Sequence, residues 1–254
     1  MNPKTNRRSF IKKASMGVVT ASLFPEIVSA AFENEQVRKV SLDKSDIILF
    51  QGDSITDWGR AYDSRQPNTN NTLGAGFVLQ AAGSLLLDFP DKNLQLHNKG
   101  IAGNKVFQLA ERWEADCLAL KPDVLSVLVG VNDFSHTLWY GYNGTVETYR
   151  NDYHHLLART KKVLPKLKLI IGEPFVLKTG KLVDEKWFPA FDGYRNAARE
   201  TAAEFNAAFI PFQSVFDKAL TRAPASYWSL DGIHPSVAGA ALMARAWREA
   251  LEER

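Results

Sequence analysis

Apolar residues along this chain gather in short runs separated by longer stretches of mixed polarity. Ile47 to Phe50, Leu94 to His97, Val124 to Val129, Leu167 to Ile171 and Ala208 to Phe212 are each of strand length, and most are rich in Val, Ile, Leu or Phe. Runs that are apolar at consecutive positions suit strands covered on both faces. The stretches between them carry apolar residues at helical spacing instead. Residues 76 to 88 form one, and Val106, Leu109, Trp113 and Cys117 mark a second. Val146, Tyr149, Tyr153, Leu156 and Thr160 mark a third, Ala190 to Phe205 is a fourth, and Val237 to Leu251, opened by Pro235, is a fifth. This alternation predicts a mainly parallel five-stranded sheet between helices, a three-layer α/β/α sandwich.

In such a sheet ligands bind outside the carboxyl ends of the strands, so the residues just after each strand are the ones to collect. They are Gly52-Asp53-Ser54, then Asn98-Lys99-Gly100 leading to Gly103-Asn104, then Gly130-Val131-Asn132-Asp133, and Glu173-Pro174-Phe175. Late in the chain "SLDGIHPS" sets Asp231 and His234 three residues apart, just before the last helix. Taken alone, Gly52-Asp53-Ser54 is open to two readings: a strand-to-helix turn with an Asp or Ser cap, or a nucleophile held at the sheet edge.

A serine hydroxyl is a poor nucleophile at neutral pH and needs an adjacent base, itself oriented by a carboxylate. Ser54, His234 and Asp231 supply these three types, and Gly232 permits a tight path between the last two. Acyl transfer also needs donors for the developing oxyanion. The Ser54 and Gly103 amides and the Asn132 side chain are candidates.

Four blocks carry a resemblance: Gly52-Asp53-Ser54-Ile55, Asn98-Lys99-Gly100-Ile101-Ala102-Gly103-Asn104, Gly130-Val131-Asn132-Asp133 and Asp231-Gly232-Ile233-His234-Pro235. In type and order they resemble the signature blocks of the SGNH (GDSL) hydrolase family. The resemblance implies the flavodoxin-like sandwich, with Ser54 as nucleophile and first oxyanion donor. It also implies Gly103 and Asn132 as further donors, His234 as base and then acid, and Asp231 as its orienting carboxylate. "GDSITDWGR", "LGAGFV", "NKGIAGNKVFQLAERWEADCLALKPDVLSVLVGVND" and "HPSVAGAALMARA" look most like the xylan and sugar O-acetylesterase branch. The expected substrate is an acylated oligo- or polysaccharide, with no cofactor and no metal site. A lysophospholipase or thioesterase of the same family is the alternative, and a catalytically silent glycan-binding protein a more distant one.

Composition bears chiefly on the N-terminus. The net charge of +3 suggests a polyanion partner until its location is examined. Lys4, Arg7, Arg8, Lys12 and Lys13 stand against Glu26 alone in the first thirty residues, so the remainder is essentially neutral and a nucleic-acid partner is set aside. "TNRRSFIKK", a short apolar stretch and "VSA" form an export signal of the twin-arginine type over residues 1–30, followed by one hydrolase domain over 31–254. The expectation is a periplasmic or secreted protein with no stable membrane insertion after signal removal; the sequence leaves room for an oligomer. Cys117, the one cysteine, falls in line with apolar positions and is read as buried.

Several residues have a plainer reading beside the functional one. Asp53 and Asp133 read first as braces of their turns, although Asp53 is also carried as a substrate contact. Asn104 is divided between substrate contact and turn chemistry. His136 is read as structural before pocket-lining. Residues 134 to 145, with Trp139 and Tyr140, are read as an aromatic loop that either stacks on a sugar or plugs onto the body. Residues 178 to 187 are expected to form a flexible loop over the site.

Overall fold

The computed structural model describes residues 24–33 and 38–252. After helix α1 (Phe24–Phe32), strand β1 (Ile47–Gly52) runs directly into the one-turn helix α2 (Ser54–Asp57). The short α3 (Asn70–Leu73) and then α4 (Phe77–Asp88) lead to β2 (Gln95–Asn98), α5 (Val106–Trp113) and β3 (Val124–Leu128). There follow α6 (Val131–Trp139), α7 (Val146–Val163), β4 (Lys168–Gly172), α8 (Asp192–Glu204) and β5 (Ala208–Ile210). Helices α9 (Phe212–Ala219), α10 (Ala225–Trp228) and α11 (Val237–Glu249) complete the order.

The five strands are parallel and ordered β2-β1-β3-β4-β5. The chain leaves β1 for one edge, at β2, then crosses to the other side to build β3, β4 and β5. The carboxyl ends of β1 and β3 therefore flank the point where strand order reverses, which in open α/β sheets forms a crevice. Gly52 pairs with Leu128 and Leu128 with Gly172, so β1, β3 and β4 end level with one another. A Cβ on Gly52 would lie 2.2 Å from the Leu128 carbonyl oxygen, so only glycine lets β1 finish flush against β3.

Helix α4 packs on α11, and α1 on α9 and α11; α5, α7 and α8 pack together elsewhere. Large aromatics join these helices to the sheet, and two of the tryptophans satisfy their indole N–H in doing so. Trp247 lies 4.9 Å from the Phe50 ring centroid and donates to Ser126 Oγ at 3.0 Å. Trp113 donates to Thr160 Oγ1 at 2.8 Å. Cys117 is fully buried, and burial pushes its thiol up to about 12.

The three-layer sandwich is the expected one, with local differences. The last apolar run breaks after Ile210 because Pro211 cannot donate to a ladder, and Phe212 instead begins α9. Helix α11 is opened by Ser236, whose hydroxyl accepts from Gly239 N at 3.1 Å; Pro235 lies before that cap. Residues 131–139 form α6, where residues 134 to 145 are read above as loop. Residues 1–23 of the export signal lie outside the described residues. Its end does not: the boundary between Ala30 and Ala31 falls inside α1, whose Ile27, Val28, Ala31 and Phe32 are buried in the core.

Candidate active site

Ser54 is the first residue of α2, and both readings of its turn apply at once. Asp53 caps the helix, its Oδ1 accepting from Ile55 N at 3.0 Å, while Ser54 Oγ is turned outward, 2.9 Å from His234 Nε2. The Ser54 N–H has no acceptor among the described residues, as expected at a helix start.

His234 is held on its other side. Its Nδ1 lies 2.7 Å from Asp231 Oδ2, and Asp231 Oδ1 accepts from Ile233 N at 2.9 Å and His234 N at 2.8 Å. Burial works against the Asp231 charge, but the bonds from the His234 amide, the imidazole and the Ile233 amide outweigh it and hold the carboxyl below its ordinary range. Ser229 braces the turn by donating to His234 O and accepting from Gly232 N, both at 2.9 Å. Gly232, at φ +105, could not carry a Cβ, which would come within 2.5 Å of Leu177 O.

Residues 177 to 182 clasp this turn. Leu177 N donates to Gly232 O at 2.7 Å, Leu182 N to Asp231 O at 3.1 Å, and Lys181 Nζ to Leu230 O at 2.7 Å. Val183 and Trp187 are fully buried. The segment expected to be a flexible cover thus braces the Asp231 loop, because Leu182 N and the Thr179 and Lys181 side chains find acceptors some fifty residues away in sequence.

The loop after β2 is fixed from below. Asn98 Oδ1 accepts from Gly100 N at 2.9 Å, while its Nδ2 donates to Thr56 O at 2.6 Å and Leu73 O at 2.8 Å. Arg60 Nε donates to Gly100 O at 2.7 Å, and Asp57 Oδ2 accepts from Ala102 N at 3.0 Å and from the Tyr62 hydroxyl. Gly103, at φ +79, has open space where a side chain would stand, and its N–H has no acceptor among the described residues. Asn132, on the first turn of α6, donates through Nδ2 to Asn104 O at 3.2 Å, with the second N–H of that amide to spare. The sheet edge therefore joins Ser54, His234 and Asp231 in one hydrogen-bonded series, and Asn132 meets the loop after β2 at Asn104, next to Gly103.

The other candidates separate. Asp53 is 1% exposed and faces inward, so it is a brace and not a surface for substrate. Asp133 is also buried, its Oδ1 accepting from Val106 N at 3.2 Å. Burial pushes each of these two carboxyls up to about 7, and each leaves Oδ2 without a partner. The Asn104 side chain accepts from Arg112 Nε at 2.9 Å, which ties it down to the loop support. Trp139, 41% exposed, packs edge-on against Trp187 at 5.7 Å, whereas Tyr140 is 73% exposed. Trp58 lies beside the imidazole, its ring centroid 5.9 Å from that of His234. Lys105, missed in the sequence, is buried and hydrogen-bonds His136 at 2.9 Å; only its position next to Asn104 could have drawn notice.

A doubly wound parallel sheet whose switch point carries a serine, an imidazole and a carboxylate in hydrogen-bonded series falls in the class of SGNH-type α/β hydrolases. The chain belongs to the GDSL-like lipase/acylhydrolase family, which matches residues 50–242, and it is a carboxylic ester hydrolase. It is similar to the acetylxylan esterase of Geobacillus stearothermophilus, at 32% identity over 202 residues covering 79% of this chain and 91% of that protein. The crystal structure of Axe2, an acetylxylan esterase from the same organism, superposes with a TM-score of 0.74 at 30% identity, covering 85% of this chain and all of that one. A GDSL-like lipase structure from Parabacteroides merdae gives a TM-score of 0.82 at 52% identity, covering 84% of this chain and 98% of that one.

Proposed function

We propose that this protein is an exported serine esterase that removes O-acetyl groups from carbohydrate, through an acyl-enzyme at Ser54. The observation that carries the mechanism is the continuous series Ser54 Oγ, His234 Nε2, His234 Nδ1, Asp231 Oδ2, with links of 2.9 and 2.7 Å. Ser54 Oγ attacks the acyl carbonyl while His234 Nε2 takes the hydroxyl proton. The carbonyl oxygen becomes an oxyanion facing the Ser54 and Gly103 amides and the Asn132 side chain. On collapse the ester C–O bond breaks and His234 returns its proton to the leaving sugar oxygen. Water then attacks the acyl-enzyme with His234 again as base, releasing acetate and restoring Ser54. Asp231 holds the imidazole in the tautomer that presents a lone pair to Ser54 and stabilises the imidazolium.

The carbohydrate assignment is supported by the similarity to an acetylxylan esterase over most of the chain and by the aromatic residues near the cleft. Export is supported by the basic, apolar and small-residue order of the first thirty residues. N-terminal sequencing of the exported protein tests the latter; cleavage after Ala30 would remove Ile27 and Val28 from their packing against the body.

The central test is acetate release from acetylated xylo-oligosaccharide, beside hydrolysis of p-nitrophenyl acetate, butyrate and octanoate, with Ser54→Ala as control. The expected result is acetate preference, lost in the variant. A rate rising toward octanoate would instead favour a lipid-directed acylhydrolase, and an active Ser54→Ala protein would overturn the mechanism.

A further inference from the structure

Helix α6 carries Asn132 on its first turn, with the side-chain amide at the Asn104 carbonyl beside Gly103. Residues four apart on a helix lie on one face, so His136 stands directly beyond Asn132 and Tyr140 beyond His136. The His136 and Tyr140 rings meet edge-on with centroids 4.8 Å apart. One helical face thus runs from the oxyanion site outward to an exposed tyrosine.

His136 is held in a fixed state along this face. Lys105 Nζ lies 2.9 Å from His136 Nδ1, and this is the one hydrogen bond of the lysine side chain among the described residues. The ammonium is confined by aromatic faces as well, 5.4 Å from the Phe107 centroid and 5.1 Å from that of Tyr142; those two rings stack at 6.0 Å. An ammonium can only donate. Nδ1 must therefore accept, and the ring proton of a neutral imidazole resides on Nε2. Burial and, after it, the Lys105 charge both lower the His136 pKa, which favours that neutral form. Nε2 has no partner among the described residues and is not one of the fully buried unpartnered atoms, so its N–H is left for a partner from outside the chain.

We propose that His136, locked in its Nε2–H tautomer by Lys105, is a specificity residue that donates a hydrogen bond to an oxygen of the sugar next to the scissile ester. This inference rests on the carbohydrate reading above and names a contact within it. An acetyl group offers only a methyl beyond its carbonyl, with no acceptor for a polar donor. A donor one helical turn from the oxyanion site is therefore of use only to the alcohol side of the ester, where a sugar presents neighbouring hydroxyls and a ring oxygen.

The test compares kcat/KM for a mono-O-acetylated methyl xyloside with that for p-nitrophenyl acetate, whose leaving group has no hydroxyl. In His136→Phe the ratio of the two should fall about tenfold, the worth of one neutral hydrogen bond near the upper end of its range. His136→Gln, which restores an amide donor near the Nε2 position, should recover much of the ratio. In Lys105→Met the imidazole ¹⁵N shifts of His136 should pass from one pyrrole-like Nε2 to a mixture of tautomers. An unchanged ratio in His136→Phe, equal losses on both esters, or an Nδ1–H tautomer in the unaltered protein would each overturn the proposal while leaving the esterase assignment standing. An unaltered enzyme that hydrolyses p-nitrophenyl acetate but no acetylated sugar would defeat the carbohydrate reading itself, and this inference with it.

Discussion

The floor of the cleft and its rim are built by opposite rules. On the floor, Ser54 sits on a helix start capped by a buried Asp53, and the loop through Gly103 is tied to Asn98, Arg60 and Asp57 by short hydrogen bonds. The Asp231 turn is clasped by residues 177 to 182. On the rim, Tyr140 is 73% exposed and Trp139 41%, and the Trp139 side chain is held by ring contacts alone. The floor is over-determined, so its residue types are fixed by backbone geometry and by the hydrogen bonds its loops share. The rim is free to vary. Chemistry and selectivity can therefore be altered separately, and substitutions in the two regions should leave different kinetic signatures.

The sharpest separation is expected at the nucleophile. Ser54→Ala removes the acyl-accepting oxygen and should lower kcat by roughly 10⁴-fold or more, with binding of an acetylated oligosaccharide, measured by calorimetry, retained. Asn132→Ala follows: in the proposed oxyanion role its amide acts on the transition state, so the expected loss is roughly 10²–10³ in kcat with KM little changed. If Asn132→Ala raised KM and spared kcat, the amide would belong to the rim and the division drawn here would fail.

The next effect concerns the floor's stability and not its chemistry. Asp133 is buried next to Asn132, its pKa raised by burial to about 7, where an unfolded chain has about 3.9. Between those values the folded protein holds a proton that the unfolded chain has lost. The raised pKa thus contributes stability that is fully present below about pH 4 and is lost as pH rises through about 7. Asp133→Asn keeps an acceptor for Val106 N and cannot ionise. Relative to the unaltered protein it should gain stability as pH is raised, by an amount on the order of 2–4 kcal/mol between pH 4 and 8. Urea midpoints across that range measure it, and parallel pH profiles for the two proteins would show that Asp133 is not the burdened group.

The same contrast explains what could be read from the sequence. Strands β1 to β4 were legible to within a residue or two, since doubly covered strands are apolar at every position. The floor residues were legible because their types and order carry the family's blocks. Helix α6 was not: Asn132, Asp133, Ser135, His136 and Thr137 are weak helix formers, and the helix is secured by Phe134 packing among Trp187, Phe191 and Tyr194. The segment over residues 178 to 187 reads as a cover because the turn it braces is distant in sequence. Lys105 and His136 were invisible as a pair for the same reason. Their contact joins the start of α5 to the middle of α6.

The smallest effect is expected on the rim, and it is the one that bears on substrate. Tyr140 is the most exposed aromatic near the cleft, and its ring is oriented by His136 and Trp139, edge-on at 4.8 and 6.4 Å. A sugar stacking on that ring would be bound in the ground state and the transition state alike, since the stacked residue lies away from the reacting carbonyl. Uniform binding of that kind appears in KM and leaves kcat alone. Tyr140→Ala should accordingly raise KM for an acetylated xylo-oligosaccharide about three- to tenfold, the loss of one partly exposed aromatic contact, while p-nitrophenyl acetate is turned over as before. Lengthening the oligosaccharide should enlarge the effect until the chain spans the rim, then no further. A fall in kcat on both esters would mean that Tyr140 supports α6 and through it Asn132, which would join rim to floor and remove the distinction from which these expectations follow.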